Sequence, residues 1–160
     1  MYLLDANVLI DAHRDYYPLD RVPPFWAWLV AHGEAGMIKI PDAIYRELLA
    51  GEDELREWVH KPDTQSALRL TEDRAASHVQ QVVELGYASD LTDTELESIG
   101  RDPFLVAHCL VDSANRTIVT TEVSKPNRRR ANRHLPDVCA DLGVACINTY
   151  ELIRALDFRI

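Results

Sequence analysis

The chain has 160 residues, 47% hydrophobic and 27% charged, with a formal net charge of −9. That length suits one domain, residues 1–160, whose core buries roughly two-thirds of the unfolded surface. The acidic balance excludes a protein that grips nucleic acid by bulk charge, and no apolar run reaches the ~18 residues of a membrane-spanning helix.

Tyr2–Leu4 predicts a strand and Val8 to about His13 a short helix. DYYPLDRVPP reads as a loop, rich in proline and acid. Phe25, Trp26, Trp28, Leu29 and Val30 fit an amphipathic helix closed by Gly33 and Gly36. Met37–Ile40 predicts a second strand, followed by a helix over Ala43–Ala50 that Gly51 stops, then a charged helix, EDELREWVH. Thr71–Leu85 predicts one helix ended by Gly86. Thr92 and Glu95 have capping-box spacing. Asp102-Pro103 opens an almost wholly apolar helix, FLVAHCLVDSA, with Asp102 as the expected cap. Thr117–Thr120 predicts a β-branched strand, residues 136–142 a helix, Val144–Ile147 a last strand and Tyr150 onward a final helix. Alternating strands and helices predict an α/β fold with a parallel sheet covered on both faces and ligands bound outside the carboxyl ends of the strands.

No basic region or small-residue cleavage site marks a signal peptide at the N-terminus. Cys109, Cys139 and Cys146 form no CxxC and lie in apolar surroundings, so free buried thiols in a reducing cytoplasm are expected. The histidines show no HxxxH or HExxH spacing, which argues against zinc.

Acids gather at one end of the expected sheet. Asp5 follows the first strand, Glu122 follows TIVT, Glu47 lies on the helix after the second strand, and Asp102 opens the buried helix. Taken singly, each has a plainer reading as a turn, cap or surface residue. Together they form a cluster that two charges ~4 Å apart would oppose by about 4 kcal/mol at an effective dielectric near 20. Such a cluster holds protons or a cation. Without His or Cys at ligand spacing, the oxygen donors point to Mg²⁺ or Mn²⁺, and so to hydrolysis of a phosphate ester.

LLDANVLI, IPDAIYREL, RDPFLVAHCL and IVTTE occur in this order from end to end. On these motifs the sequence resembles the PIN-domain family of metal-dependent ribonucleases, which includes VapC-type toxins. Within that superfamily it looks most like a PIN-like group described only as a domain of unknown function. The resemblance implies a three-layer α/β/α sandwich with a central parallel sheet. It implies metal binding by Asp5, Glu47 and Asp102, with Glu122 standing where the family often has Asp. Asn7 and Thr120 would hold the carboxylates or orient a water. The implied function is a divalent-metal-dependent endoribonuclease, the toxin of a toxin–antitoxin pair, with RNA as substrate and an antitoxin and a second copy of the chain as candidate partners. One departure concerns the acids after Glu122. Many relatives carry another Asp a few residues on, whereas VSKPNRRR follows here with no acid until Asp137.

KPNRRRANRH places Lys125, Arg128, Arg129, Arg130 and Arg133 beside Glu122, either as a grip on the RNA backbone, as a dock for an acidic antitoxin tail, or as a solvated loop. Trp26 and Trp28, two positions apart, are expected to face different sides of their helix. A catalytically inactive RNA- or protein-binding module is the alternative to the nuclease. A haloacid-dehalogenase-type phosphatase fits less well, because Asn7 stands where that chemistry needs a second Asp.

Overall fold

A computed structural model describes residues 1–160. Its centre is one parallel sheet of five strands in the order β3-β2-β1-β4-β5. They are β1 (Tyr2–Leu4), β2 (Ile38–Pro41), β3 (Arg69–Leu70), β4 (Thr117–Val119) and β5 (Ala145–Ile147). Ten helices cover it as a three-layer α/β/α sandwich: α1 (Ala6–Asp11), α2 (Pro23–Glu34), α3 (Asp42–Leu49), α4 (Glu54–His60), α5 (Pro62–Leu68), α6 (Ala76–Val82), α7 (Asp93–Ile99), α8 (Asp102–Leu110), α9 (Leu135–Asp141) and α10 (Thr149–Ala155). The strands are short and apolar because both faces are covered; Leu3, Leu4, Ile38, Ile40, Ile118 and Val119 are fully buried.

Strand order fixes where a ligand can sit. The chain moves outward from β1 through β2 to β3, then returns to the other side of β1 with β4 and β5. The reversal lies between β1 and β4, where open parallel sheets form their crevice. In register, Leu4 pairs with Val119 and Val119 with Ile147. Asp5, Thr120 and Asn148 are therefore the next residues out on three neighbouring strands.

Two regions differ from the sequence expectation. Helix α2 begins at Pro23, with proline in its first turn, and runs through Gly33 to Glu34. Gly36 alone ends it, at φ 72°, with the Met37 amide donating to the His32 carbonyl at 2.9 Å and the Gly36 amide to Gly33 at 3.0 Å. The stretch expected as one helix over Thr71–Leu85 is instead a 3₁₀ turn, helix α6, and a π turn (Val83–Tyr87). Just before it, α5 and β3 were not expected. Lys61-Pro62 restarts the chain as α5, and a two-residue edge strand carries too little pattern to be seen in sequence.

The two tryptophans do face different ways. Trp26 packs edge-on against Trp58, while Trp28 meets Phe25 and Phe158. Trp26 is buried and Trp28 half-buried. All three cysteines are unpaired; Cys109 and Cys139 are buried and Cys146 is half-buried. No helix is long and apolar enough to cross a membrane.

Gly33 marks the close approach of α2 to α5. A Cβ there would lie 2.6 Å from Leu68 Cδ2 and 2.8 Å from the Ala67 carbonyl oxygen. Backbone on one side leaves no room to yield, so Gly33→Ala should destabilise the fold by about 1–3 kcal/mol despite alanine's better helix propensity. Denaturant unfolding checks this, and an unchanged or higher midpoint would contradict it.

Candidate active site

Asp5 occupies the cap position of α1 but caps nothing with its side chain. Its carboxylate, only 4% exposed, turns across the switch point. The Thr120 hydroxyl donates to Oδ2 at 2.8 Å and the Asn7 amide reaches the same oxygen at 3.4 Å. The Thr120 oxygen in turn accepts the Glu122 amide at 3.2 Å. Asn7 and Thr120 thus both touch Asp5, and Thr120 also fixes the backbone that carries Glu122.

Asp102 is not the cap of α8. Arg101 holds that position, Asp102 is the first helical residue and Pro103 the second. The Asp102 side chain makes no capping bond; its Oδ2 accepts from the Tyr87 hydroxyl at 3.4 Å. Tyr87, buried at the end of the π turn, was not anticipated from sequence, where it is one more apolar residue after Gly86. Glu122 Oε2 accepts the Leu135 amide at 2.8 Å and lies 3.6 Å from His134 Nδ1. Glu47 is exposed on α3.

The acids act on each other. Burial chiefly, then the charges of Asp5, Glu122 and Glu47, pushes Asp102 up to about 8. Asp5 rises to about 6, again through burial first, with Glu122 and Glu47 adding to it and the Thr120 hydrogen bond opposing. Burial and the neighbouring Asp102 and Glu122 push the Tyr87 phenol upward too, so it stays a neutral donor at physiological pH. No three His, Cys, Asp or Glu side chains stand together at metal-ligand spacing. The donor set nonetheless suits a hard cation. It is all oxygen, and at neutral pH Asp102 retains a proton that a cation would replace.

The basic stretch divides into two groups. Arg130 forks onto Glu95 with two 2.8 Å contacts and also pairs with Asp90 at 2.7 Å. Arg133 donates to the Gly86 carbonyl at 2.6 Å and pairs with Asp141 at 2.6 Å. Arg129 donates to the Pro126 and Arg128 carbonyls of its own loop. Lys125 and Arg128 are exposed and enter no ion pair. Arg130 and Arg133 therefore tie the loop down, and Lys125 and Arg128 point a free charge outward.

A cleft of about 570 Å³ opens on the Glu122 side of the site, lined by Thr120, Glu122 and Ser124 from the segment after β4 and by Asn148 and Tyr150 after β5; Asp5, Glu47 and Asp102 do not line it. The fold and site together define a parallel α/β protein with electrostatically coupled carboxylates, Asp5, Asp102, Glu122 and Glu47, about its switch point. The chain belongs to the family described as Domain of unknown function (DUF4411), whose model matches residues 2–160. No curated protein matches it.

The raised pKa values have a measurable cost. Folded Asp102 binds its proton more tightly than the unfolded chain does. Its stabilising contribution is full below the unfolded value near 3.8 and is lost as pH rises through about 8. In EDTA, Asp102→Asn should match wild type near pH 4 and exceed it by on the order of 2–5 kcal/mol at pH 9. Mn²⁺ should reverse the order by raising the melting temperature of wild type alone. Unfolding curves that stay parallel across pH would contradict this.

Proposed function

We propose that the chain is a Mg²⁺- or Mn²⁺-dependent endoribonuclease that hydrolyses RNA phosphodiester bonds, and that it is the toxin of a type II toxin–antitoxin pair. The observation that supports the metal-dependent chemistry is the placement of buried Asp5 and half-buried Asp102 at the switch point, both with raised pKa, within the field of Glu47 and Glu122. The RNA substrate and the toxin role rest on the resemblance to PIN-domain ribonucleases in the motifs around Asp5, Glu47, Asp102 and Glu122.

Asp5, Glu47 and Asp102 would hold the cation, with Glu122 assisting. When bound, the cation polarises a phosphoryl oxygen and lowers the pKa of water at the site. The chain's own contribution is positioning. Thr120 and Asn7 keep the Asp5 oxygens in place, and Tyr87 directs Asp102. Burial lowers the local dielectric and so strengthens the hold of the acids on a cation. Water then attacks phosphorus in line with the departing 3′ oxygen. Lys125 and Arg128 would take the RNA backbone at the rim, or an acidic antitoxin segment when the enzyme is held inactive.

The second reading, a binding module without turnover, is favoured by two contacts. Glu122 is tied to the Leu135 amide, and Asp137, the next acid along, accepts from Ser124 and from the Lys125 amide at 2.5 and 2.7 Å. No fifth acid is therefore free.

Cleavage of structured and unstructured RNAs in Mg²⁺, Mn²⁺ or EDTA separates the two. Asp5→Asn and Asp102→Asn should each lower metal-dependent cleavage by about 10²-fold or more. Thr120→Val should lower it by about 10–100-fold, as expected for a residue that orients a ligand. Full activity in Asp5→Asn would sink the nuclease assignment, and a folded wild type that turns over with neither metal would favour the binding module.

A further inference from the structure

The cleft that Thr120 and Glu122 line has a mouth that the cation chemistry does not use. Two tyrosines stand there, both lining it and both largely in solvent: Tyr16 is 56% exposed and Tyr150 50%. Their rings meet edge to face, centroids 6.1 Å apart at 74°. Neither ring belongs to the core, and neither is needed to close it. Tyr16 is the last residue of a π turn, Ala12–Tyr16, that continues α1. Single π turns inside helices recur at functional sites because they re-aim one side chain. Tyr150 sits in the first turn of α10, held by the capping box of Asn148 and Glu151.

Charge decides what the cleft accepts. Arg14 is taken up by Asp15 through two contacts of 2.8 and 2.6 Å and by Asp11 at 2.8 Å. Glu151 is committed to its own cap, and Glu122 to the Leu135 amide. Asp11, Asp15, Glu122 and Glu151 line this space against that one arginine, so it does not suit a phosphate. Its uncharged lining, with Tyr16, Tyr17, Asn148, Thr149 and Tyr150, suits a flat neutral group with polar edges, and its volume leaves ample room for one nucleobase. The free cations, Lys125 and Arg128, follow directly on Ser124, which also lines the cleft.

We propose that the Tyr16–Tyr150 cleft is a base-stacking subsite that takes one unpaired nucleobase of single-stranded RNA next to the scissile phosphate, with the neighbouring backbone running along Lys125 and Arg128. This rests on the nuclease reading and adds a strand preference to it. A base can enter only when splayed from its neighbours, so a duplex is refused.

The test is binding of fluorescein-labelled hexanucleotides to the full chain, in EDTA and in Mn²⁺. Tyr16→Ala and Tyr150→Ala should each weaken single-stranded binding about tenfold, as for loss of one stacked base. Tyr16→Phe and Tyr150→Phe should restore it. An oligonucleotide with one abasic position should bind wild type as weakly as the alanine variants and be insensitive to them. Melting temperatures should not move, because both rings are exposed. Equal binding by the alanine variants, or no single-stranded binding by wild type, would overturn the subsite. If binding ignores the tyrosines while cleavage still needs Asp5 and metal, the nuclease stands without the subsite. If binding needs the tyrosines but nothing is cleaved, the subsite stands and the nuclease falls.

Discussion

The hydrogen bond from Thr120 to Asp5 spans the point where the sheet reverses direction, and the site depends on it. A carboxylate at 4% exposure costs free energy unless something in the protein replaces water. The hydroxyl does so at 2.8 Å, and by accepting the Glu122 amide it leaves no polar group of its own unsatisfied. The pairing of Leu4 with Val119 brings the two residues to the same level. A one-residue slip would turn Asp5 to the other face of the sheet. The register of two short strands thus decides whether the acids can meet.

Around that contact the fold separates charge by location. A chain with net charge −9 concentrates buried acid at the carboxyl edge and places its loop of arginines alongside. Arg130 and Arg133 are consumed in holding that loop to Glu95, Asp90 and Asp141. Such bridges contribute little stability where they are exposed, but several together fix a rim. What remains electrostatically free is a narrow strip at Lys125 and Arg128, beside a cleft where four carboxylates face one arginine. Long-range attraction for polyanions is therefore weak, and selectivity falls to contacts at short range.

Much of this was legible in the sequence, for identifiable reasons. Continuous apolar runs followed by a single polar residue gave β1 and β4 and the positions of Asp5 and Thr120. The capping box at Thr92 and Glu95 formed as its spacing required. What escaped were features set by tertiary contact. Gly33 looked like a helix stop, yet it is there because α5 approaches closely, and α5 itself was hidden in a short, largely uncharged stretch after Lys61. Asp102 looked like a cap because Asp-Pro often is one; its partner is Tyr87, fifteen residues earlier in sequence. The arginines looked alike in the sequence, and only their neighbours across the fold distinguish anchors from free charges.

The electrostatics of the cluster also bear on why such an arrangement persists in a folded chain. A buried core of 34 residues surrounds the sheet and could equally enclose neutral side chains at the positions of Asp5 and Asp102. Instead the folded state carries acids whose ionised forms it disfavours. A ligand that binds the native state and not the unfolded chain returns that free energy by mass action. Only a species that prefers the ionised form of both carboxylates can do so here, since a neutral ligand leaves the proton where it is. On the nuclease reading proposed above, that species is a small hard cation. The same burial that makes the acids reluctant to ionise would make them bind it strongly.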